Sequence, residues 1–313
     1  MIKADLITGF LGAGKTTFIV EYAGYFISQG IKTAVIVNDF GAINVDRIFL
    51  EKRLGGLCDI EMVIGGDRDC AMRRLKTKLI ALAMDRYERV IIEPSGVFEA
   101  DDFLDLIYDD PLGSRYEPGS IITLVDAETD RSLSRNAKYV LASQLTKAGK
   151  VVISKAGQQS SLDGFTEFLN DCLAEFGSKT GISSPFVWKK GETSPEEFEM
   201  LSKCGYKSGD IIKLPITENG SFTSLFFFHV KIDVTQIEER IARIFKEETE
   251  GTVYRIKGFL ALGDGWLEIN ATKNNVNISE SEIGQELFIV IGEGIDKEKI
   301  GRYWDSYNDE VQA

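Results

Sequence analysis

The chain has 313 residues, 43% of them apolar and 27% charged, the balance of a globular protein with material for a sizeable core and for two domains. Its formal net charge of −13 argues against nucleic acid or an anionic membrane surface as partner, since either would repel it. No basic and apolar leader precedes Lys3 and no apolar run is long enough to span a bilayer, so a cytoplasmic protein is expected.

Residues 4–8 (ADLIT) form an apolar run that reads as a strand. Gly9-Phe10-Leu11-Gly12-Ala13-Gly14-Lys15-Thr16 follows, and residues 17–29 read as a helix. Strand, glycine loop and helix with G-x-x-x-x-G-K-[ST] spacing define a phosphate-binding P-loop. Glycines let several backbone N–H groups point at phosphate oxygens, and the helix N-terminus adds the positive end of its dipole. Gly9, Gly12, Ala13, Gly14, Lys15, Thr16 and Thr17 are therefore the candidate phosphate-binding residues. Lys15 is expected to reach the β- and γ-phosphates, and the Thr16 hydroxyl to ligate Mg²⁺.

The helix carries Phe18, Ile19, Tyr22, Phe26 and Ile27 near the helical period, and Gly30 stops it. Residues 33–37 (TAVIV) read as a strand buried on both faces of a parallel sheet. It runs into Asn38-Asp39-Phe40-Gly41 and a loop through Asn44, Val45 and Asp46. Two readings of Asp39 stand: a metal and switch residue beside the P-loop, or part of a solvated turn. Residues 60–64 are apolar and lead through Gly65-Gly66-Asp67-Arg68-Asp69-Cys70 to a helix expected over 71–87. The next buried strand, 89–92 (RVII), delivers Glu93-Pro94-Ser95-Gly96. An acid at the end of a sheet strand, three residues before a glycine, has the shape of a Walker B or "DxxG" element. Glu93 would reach Mg²⁺, usually through water, and the Gly96 N–H would sense the γ-phosphate.

Residues 121–125 (IITLV) give a strand ending at Asp126, with helical sequence to about 147. Residues 151–153 open a strand that reaches Ser154-Lys155-Ala156-Gly157. Over 162–176 a helix is expected, with Phe165, Phe168, Leu169, Leu173 and Phe176 as its core stripe. A short strand at 185–188 and a helix near 195–203 close the unit. The expected fold class is α/β: a doubly wound, mostly parallel sheet over residues 1–204, with ligand at the carboxyl ends of its strands. Residues 205–221, rich in Gly, Ser, Lys and Asn, read as a linker. A second, small α+β domain is expected over 222–313. It starts with a strand at Leu225 (LFFFHV), then a helix near 235–248, strands near 253–261, 266–271 and 287–291, and a terminal helix from Asp296. His229, the single histidine, stands among Phe226, Phe227 and Phe228 and is expected to be buried and satisfied.

Together these motifs resemble the CobW-type P-loop GTPases, relatives of the accessory GTPases that load metals into urease and hydrogenase. The resemblance spans nearly the whole chain: GFLGAGKTT at 9–17, NDFGAINVD at 38–46, EPSG at 93–96, TLVDA at 123–127 and YRIKGFL at 254–260. It implies GTP as ligand with Mg²⁺, slow intrinsic hydrolysis, and a client metalloenzyme or metal-cofactor enzyme as partner. A homodimer across the nucleotide face is implied by analogy.

Two departures qualify it. The family's G-C-x-C-C metal motif is here Gly66-Asp67-Arg68-Asp69-Cys70, so two of three thiolates are replaced by carboxylates. A three-sulfur zinc site cannot form from this motif, and a retuned site of Asp67, Asp69 and Cys70 would favour a harder ion. The preferred reading is plainer: Asp67 or Asp69 caps the following helix and Cys70 joins the core. Secondly, the family's N-K-x-D reads guanine, and the matching stretch is Ser154-Lys155-Ala156-Gly157. Lys155 can still lie along a base, with Ser154 beside it, but Gly157 has no side chain to accept a hydrogen bond. GTP is retained first on resemblance, with ATP close behind.

The function expected is an NTP-hydrolysing accessory protein that delivers or handles a metal or metal cofactor. Lys15, Asp39 and Glu93 are its candidate catalytic residues, and Thr16, Asp39 and Glu93 its magnesium shell. The rival is a nucleotide-gated protein-binding switch without metal cargo. A small-molecule kinase ranks below both, because no lid or acceptor motif is evident.

Overall fold

The computed structural model describes residues 1–39, 45–64, 68–96, 98–157, 162–214, 222–247, 251–282 and 284–309. It divides into two compact units, Met1–Leu214 and Pro215–Ala313. In the first, strands β1 (Ile2–Gly9), β2 (Thr33–Asp39), β3 (Asp59–Ile64), β4 (Arg89–Glu93), β5 (Tyr116–Asp126), β6 (Lys150–Ser154) and β7 (Phe186–Val187) alternate with helices. The helices are α1 (Lys15–Ser28), α2 (Val45–Leu54), α3 (Arg68–Leu82), α4 (Ala100–Tyr108), α5 (Arg135–Lys147), α6 (Leu162–Glu175) and α7 (Pro195–Ser202). All seven strands pair in parallel, in the order β3-β2-β4-β1-β5-β6-β7.

The continuous apolar runs explain why this sheet is covered on both faces. Ala4 and Leu6 of β1, Ala34 and Ile36 of β2, and Val90 and Ile92 of β4 share one core with Leu75 and Leu79 of α3 and Phe103 and Ile107 of α4. The alternate residues Ile7, Val35, Val37 and Ile91 share another with Phe18, Ile19 and Tyr22 of α1, Leu50 of α2 and Leu201 of α7. With β1 flanked by β4 and β5, the chain reverses its winding direction at the P-loop strand. An open parallel sheet forms its ligand crevice at that switch point, beyond the carboxyl ends.

Several boundaries differ from those expected. Val45 opens α2 instead of continuing a loop, and α3 begins at Arg68, ahead of the expected 71. Residues 205–214 lie along the first unit: Ile121 N donates to Gly205 O at 2.8 Å, Lys207 N to Lys147 O at 3.0 Å and Ile212 N to Phe176 O at 2.8 Å. Backbone bonds of this kind make them a strap; of the expected linker, 215–221 lie outside the described residues.

The second unit is a six-stranded antiparallel sheet built from β8 (Phe222–Lys231), β9 (Thr252–Leu262), β10 (Gly265–Thr272), β11 (Asn275–Ser281), β12 (Leu287–Glu293) and β13 (Ser306–Asn308). Its order is β11-β10-β9-β12-β8-β13. Ile241 and Ile244 of α8 (Ile237–Lys246) pack with Ile256, Ile269, Phe288 and Val290. The expected terminal helix is only α9 (Lys297–Gly301), capped by Asp296, and the chain then turns into β13. His229 is a correction: its side chain is 41% exposed and paired with Glu286. Its φ of +50° breaks the alternation of β8, so that Phe227 and Val230 both face the core and His229 does not. Among the described residues no helix is long and apolar enough to cross a membrane.

Candidate nucleotide-binding site

The site grows from the end of β1. Gly14, at the N-cap of α1, has φ +84° and ψ +21°, a left-handed conformation that a glycine adopts without a Cβ penalty. Gly14 itself brings no side chain to cap the first amides of α1. That arrangement fits a phosphate, which a helix N-terminus binds through its amides and dipole. Lys15 is buried at the first helical position and its Nζ donates to Gly9 O at 3.0 Å, closing the loop on itself. One residue on, Thr16 Oγ1 donates to Glu93 Oε1 at 3.1 Å. Hydroxyl and carboxylate oxygens brought together beside a P-loop lysine are the hard donors that suit Mg²⁺.

A second set of contacts ties the loop to the strand beyond β5. Ser154 Oγ donates to Ala13 O at 2.8 Å. Lys155, with φ +53°, sends its Nζ to Gly12 O at 2.8 Å and to Asp126 Oδ2 at 2.6 Å. Asp126 is buried at the end of β5, where its other oxygen accepts Glu128 N at 2.9 Å. Thus Gly9, Gly12, Ala13, Gly14, Lys15, Thr16, Glu93, Ser154 and Lys155 converge at one end of the sheet. Thr17 is half-buried on the first turn of α1, and Gly96 is buried just past β4. Asp39 is the last residue of β2, its backbone in register with Ile64; its side chain is outside the described set, as is that of Asp69. Asp67 lies outside the described residues altogether.

The second-metal reading rests on Asp67, Asp69 and Cys70, of which the half-buried Cys70 alone has a described side chain. Among the described residues, no three His, Cys, Asp or Glu side chains form a metal-ligating group. Burial, with some help from Asp59, pushes the Cys58 thiol up to about 11, which keeps it protonated at neutral pH.

Three participants escaped the sequence reading. Asp126 was visible as an acid at a strand end but its partner, Lys155, is far along the chain. Trp188 donates Nε1–H to Glu21 Oε2 at 3.1 Å, and its ring stands 3.7 Å from where a Cβ on Gly14 would lie. Gln144 of α5 grips the backbone after Glu93; nothing in a helical stretch of sequence marks it.

This fold and loop define a P-loop nucleotide-binding protein. The model for "CobW/HypB/UreG, nucleotide-binding domain" matches residues 3–178, and that for "Cobalamin synthesis protein cobW C-terminal domain" matches residues 223–307. The chain belongs to the CobW/HypB/UreG family. Zinc chaperone YjiA of Escherichia coli (strain K12) is 28% identical over 190 residues, 58% of this chain and 56% of that one. Zinc chaperone YeiR of the same strain is 34% identical over 110 residues, 34% of this chain and 32% of that one. The chain thus matches little more than half the length of the first of these relatives and about a third of the second. The crystal structure of Zn(II)-bound YjiA GTPase from E. coli aligns over 96% of this chain and 97% of that one at 17% identity, with a TM-score of 0.38, a likeness too loose to carry an argument.

Proposed function

We propose that this chain is a magnesium-dependent P-loop nucleoside triphosphatase, GTP first and ATP second, which acts as a cytoplasmic accessory protein handling a metal or metal cofactor for a client enzyme. The observation that carries the first half is the Thr16–Glu93 contact at 3.1 Å beside a buried Lys15, on a helix whose N-cap is the left-handed Gly14. Lys15 and the loop amides neutralise phosphate charge. Thr16, Glu93 and Asp39 hold the metal or orient the attacking water, and Gly96 senses the outermost phosphate. Bound there, Mg²⁺ would neutralise charge on the β- and γ-phosphoryl oxygens. Positioning and electrostatics supply most of the catalysis in such a reaction, so intrinsic turnover is expected to be slow.

The second half rests on family membership and on relatives that carry the name zinc chaperone. The metal cargo is the open term: Gly66-Asp67-Arg68-Asp69-Cys70 holds one thiol. That favours, as a second reading, a nucleotide-gated switch that docks a partner, or a second copy of itself, without cargo. Calorimetry with GTP and with ATP in magnesium, followed by phosphate release, tests the triphosphatase; binding of neither overturns it. Equilibrium dialysis with zinc and with manganese under reducing conditions separates the two readings. A stoichiometric ion lost on Asp67→Ala or Cys70→Ala supports cargo, and absence of any such ion supports the switch.

A further inference from the structure

Gln144 is fully buried on α5, and its Nε2 donates to Gly96 O at 3.1 Å and to Phe98 O at 3.2 Å. Two carbonyls on the same side fix the orientation of the amide, because the reversed form would set oxygen against oxygen. Its own Oε1 is buried and accepts no hydrogen bond among the described residues. A buried amide with an idle carbonyl is costlier than an apolar side chain of similar shape, so filling space does not account for it.

What the amide grips is telling. On its other side Gly96 abuts the P-loop: a Cβ there would stand 2.6 Å from Leu11 Cδ2 and 3.3 Å from Leu11 N. The backbone at 96 is thus held between the P-loop and Gln144, three residues after the carboxylate that receives the Thr16 hydroxyl. The gripping turn is itself anchored. Thr123 Oγ1 of β5 donates to Gln144 O at 2.8 Å, and Lys147, nearly one turn further on, pairs with Asp101 of α4 at 2.9 Å. A shift of Gly96 and Phe98 away from Gln144 must therefore break its Nε2 bonds or drag α5 with it.

We propose that Gln144 is a positioning residue that, through the carbonyls of Gly96 and Phe98, latches the Gly96 backbone against the P-loop, setting the rate of hydrolysis and not the affinity for nucleotide. This rests on the triphosphatase reading above. The full chain and its Gln144→Met and Gln144→Glu variants are compared by phosphate release at saturating Mg-GTP and Mg-ATP, by calorimetry with GDP and ADP, and by thermal unfolding. Expected is a fall in kcat of about tenfold or more for Gln144→Met, with KM and diphosphate affinity within about twofold of wild type. For Gln144→Glu the deficit should shrink as pH falls, because a protonated carboxyl regains one O–H donor for the two carbonyls. An active wild type beside a Gln144→Met variant of unchanged kcat overturns the latch and leaves the triphosphatase standing. If Gln144→Met fails to fold, a pH-independent deficit in Gln144→Glu overturns it instead. A wild type that hydrolyses neither triphosphate removes both.

Discussion

Two buried polar clusters in the first unit use similar groups to opposite ends. Midway along the sheet, Asp5 of β1 accepts from Tyr22 OH at 2.9 Å, from Ser120 N at 2.7 Å and from the Arg89 guanidinium. Arg89 also lies over the Phe26 ring, 4.2 Å from its centroid. Every contact is internal, α1 covers the cluster, and Asp5 is wholly buried. At the carboxyl ends of the strands, Lys15, Thr16, Glu93, Ser154 and Lys155 also gather; Lys15, Glu93 and Ser154 are buried there, but the cluster reaches the surface at Lys155. Lys155 keeps 36% of its side chain exposed, and its ammonium and that of Lys15 both touch P-loop carbonyls. A polar cluster inside the span of a two-faced parallel sheet can only be closed, since apolar layers meet it above and below. One at the strand ends can reach the surface, as this one does at Lys155.

The comparison is broken most severely by opening the closed cluster. Arg89→Met strands the Asp5 carboxylate in the core and should cost about 3–5 kcal/mol of stability. A urea series on the full chain checks it, and a loss under about 1 kcal/mol would mean that the pair is not the closed unit described. Next in size is Lys15→Ala at the open cluster. Removal of one preorganised charge donor should slow triphosphate hydrolysis by about 10²–10³-fold, with the urea midpoint little moved. If stability fell instead and hydrolysis held, the two clusters would have exchanged roles. A smaller effect belongs to Ser154→Ala, which frees one tie to Ala13 O. Triphosphate affinity by calorimetry should weaken by about fivefold, the size of one ordinary hydrogen bond.

How much of this was legible in sequence depends on range. The P-loop, the strand that delivers Glu93 and the buried runs of the parallel sheet are local patterns, and they appear where the spacing placed them. Not legible were ties between distant positions: Lys155 to Asp126, Trp188 to Glu21, Gln144 to Gly96. A single chain carries no local mark of such pairs. β11 also escaped: Asn275-Val276-Asn277-Ile278 does alternate, but the pattern rests on two apolar residues and gives way to Ser279-Glu280-Ser281, too short a run to stand out from a polar loop. His229 misled for a definable reason: aromatic neighbours suggested burial, but one left-handed residue reversed the in–out alternation.

The finest discrimination between the clusters is their response to alkali. Cys204 sits beside the closed one. Burial pushes its thiol from 9.0 up to about 11; the charge of Asp5 adds to this, while a hydrogen bond from Ser120 opposes it. Because the folded value lies above the ordinary one, the stability linked to the neutral thiol is complete below pH 9. It is lost progressively as pH rises toward 11, the unfolded chain releasing its proton first. The urea midpoint should therefore decline between pH 9 and 11, and Cys204→Ala should flatten part of that decline. Cys58 and Cys172 contribute in the same direction and window, their thiols also pushed up to about 11 by burial, so the flattening is partial. Tyr303 of the second unit, pushed from 10.0 up to about 12, begins to add only above pH 10, which leaves the interval from 9 to 10 to the thiols. Alkylation of Cys204 by iodoacetamide at pH 8 should likewise be slow in the folded chain and fast in urea. Equal rates in both would place the thiol in solvent and detach it from the closed cluster.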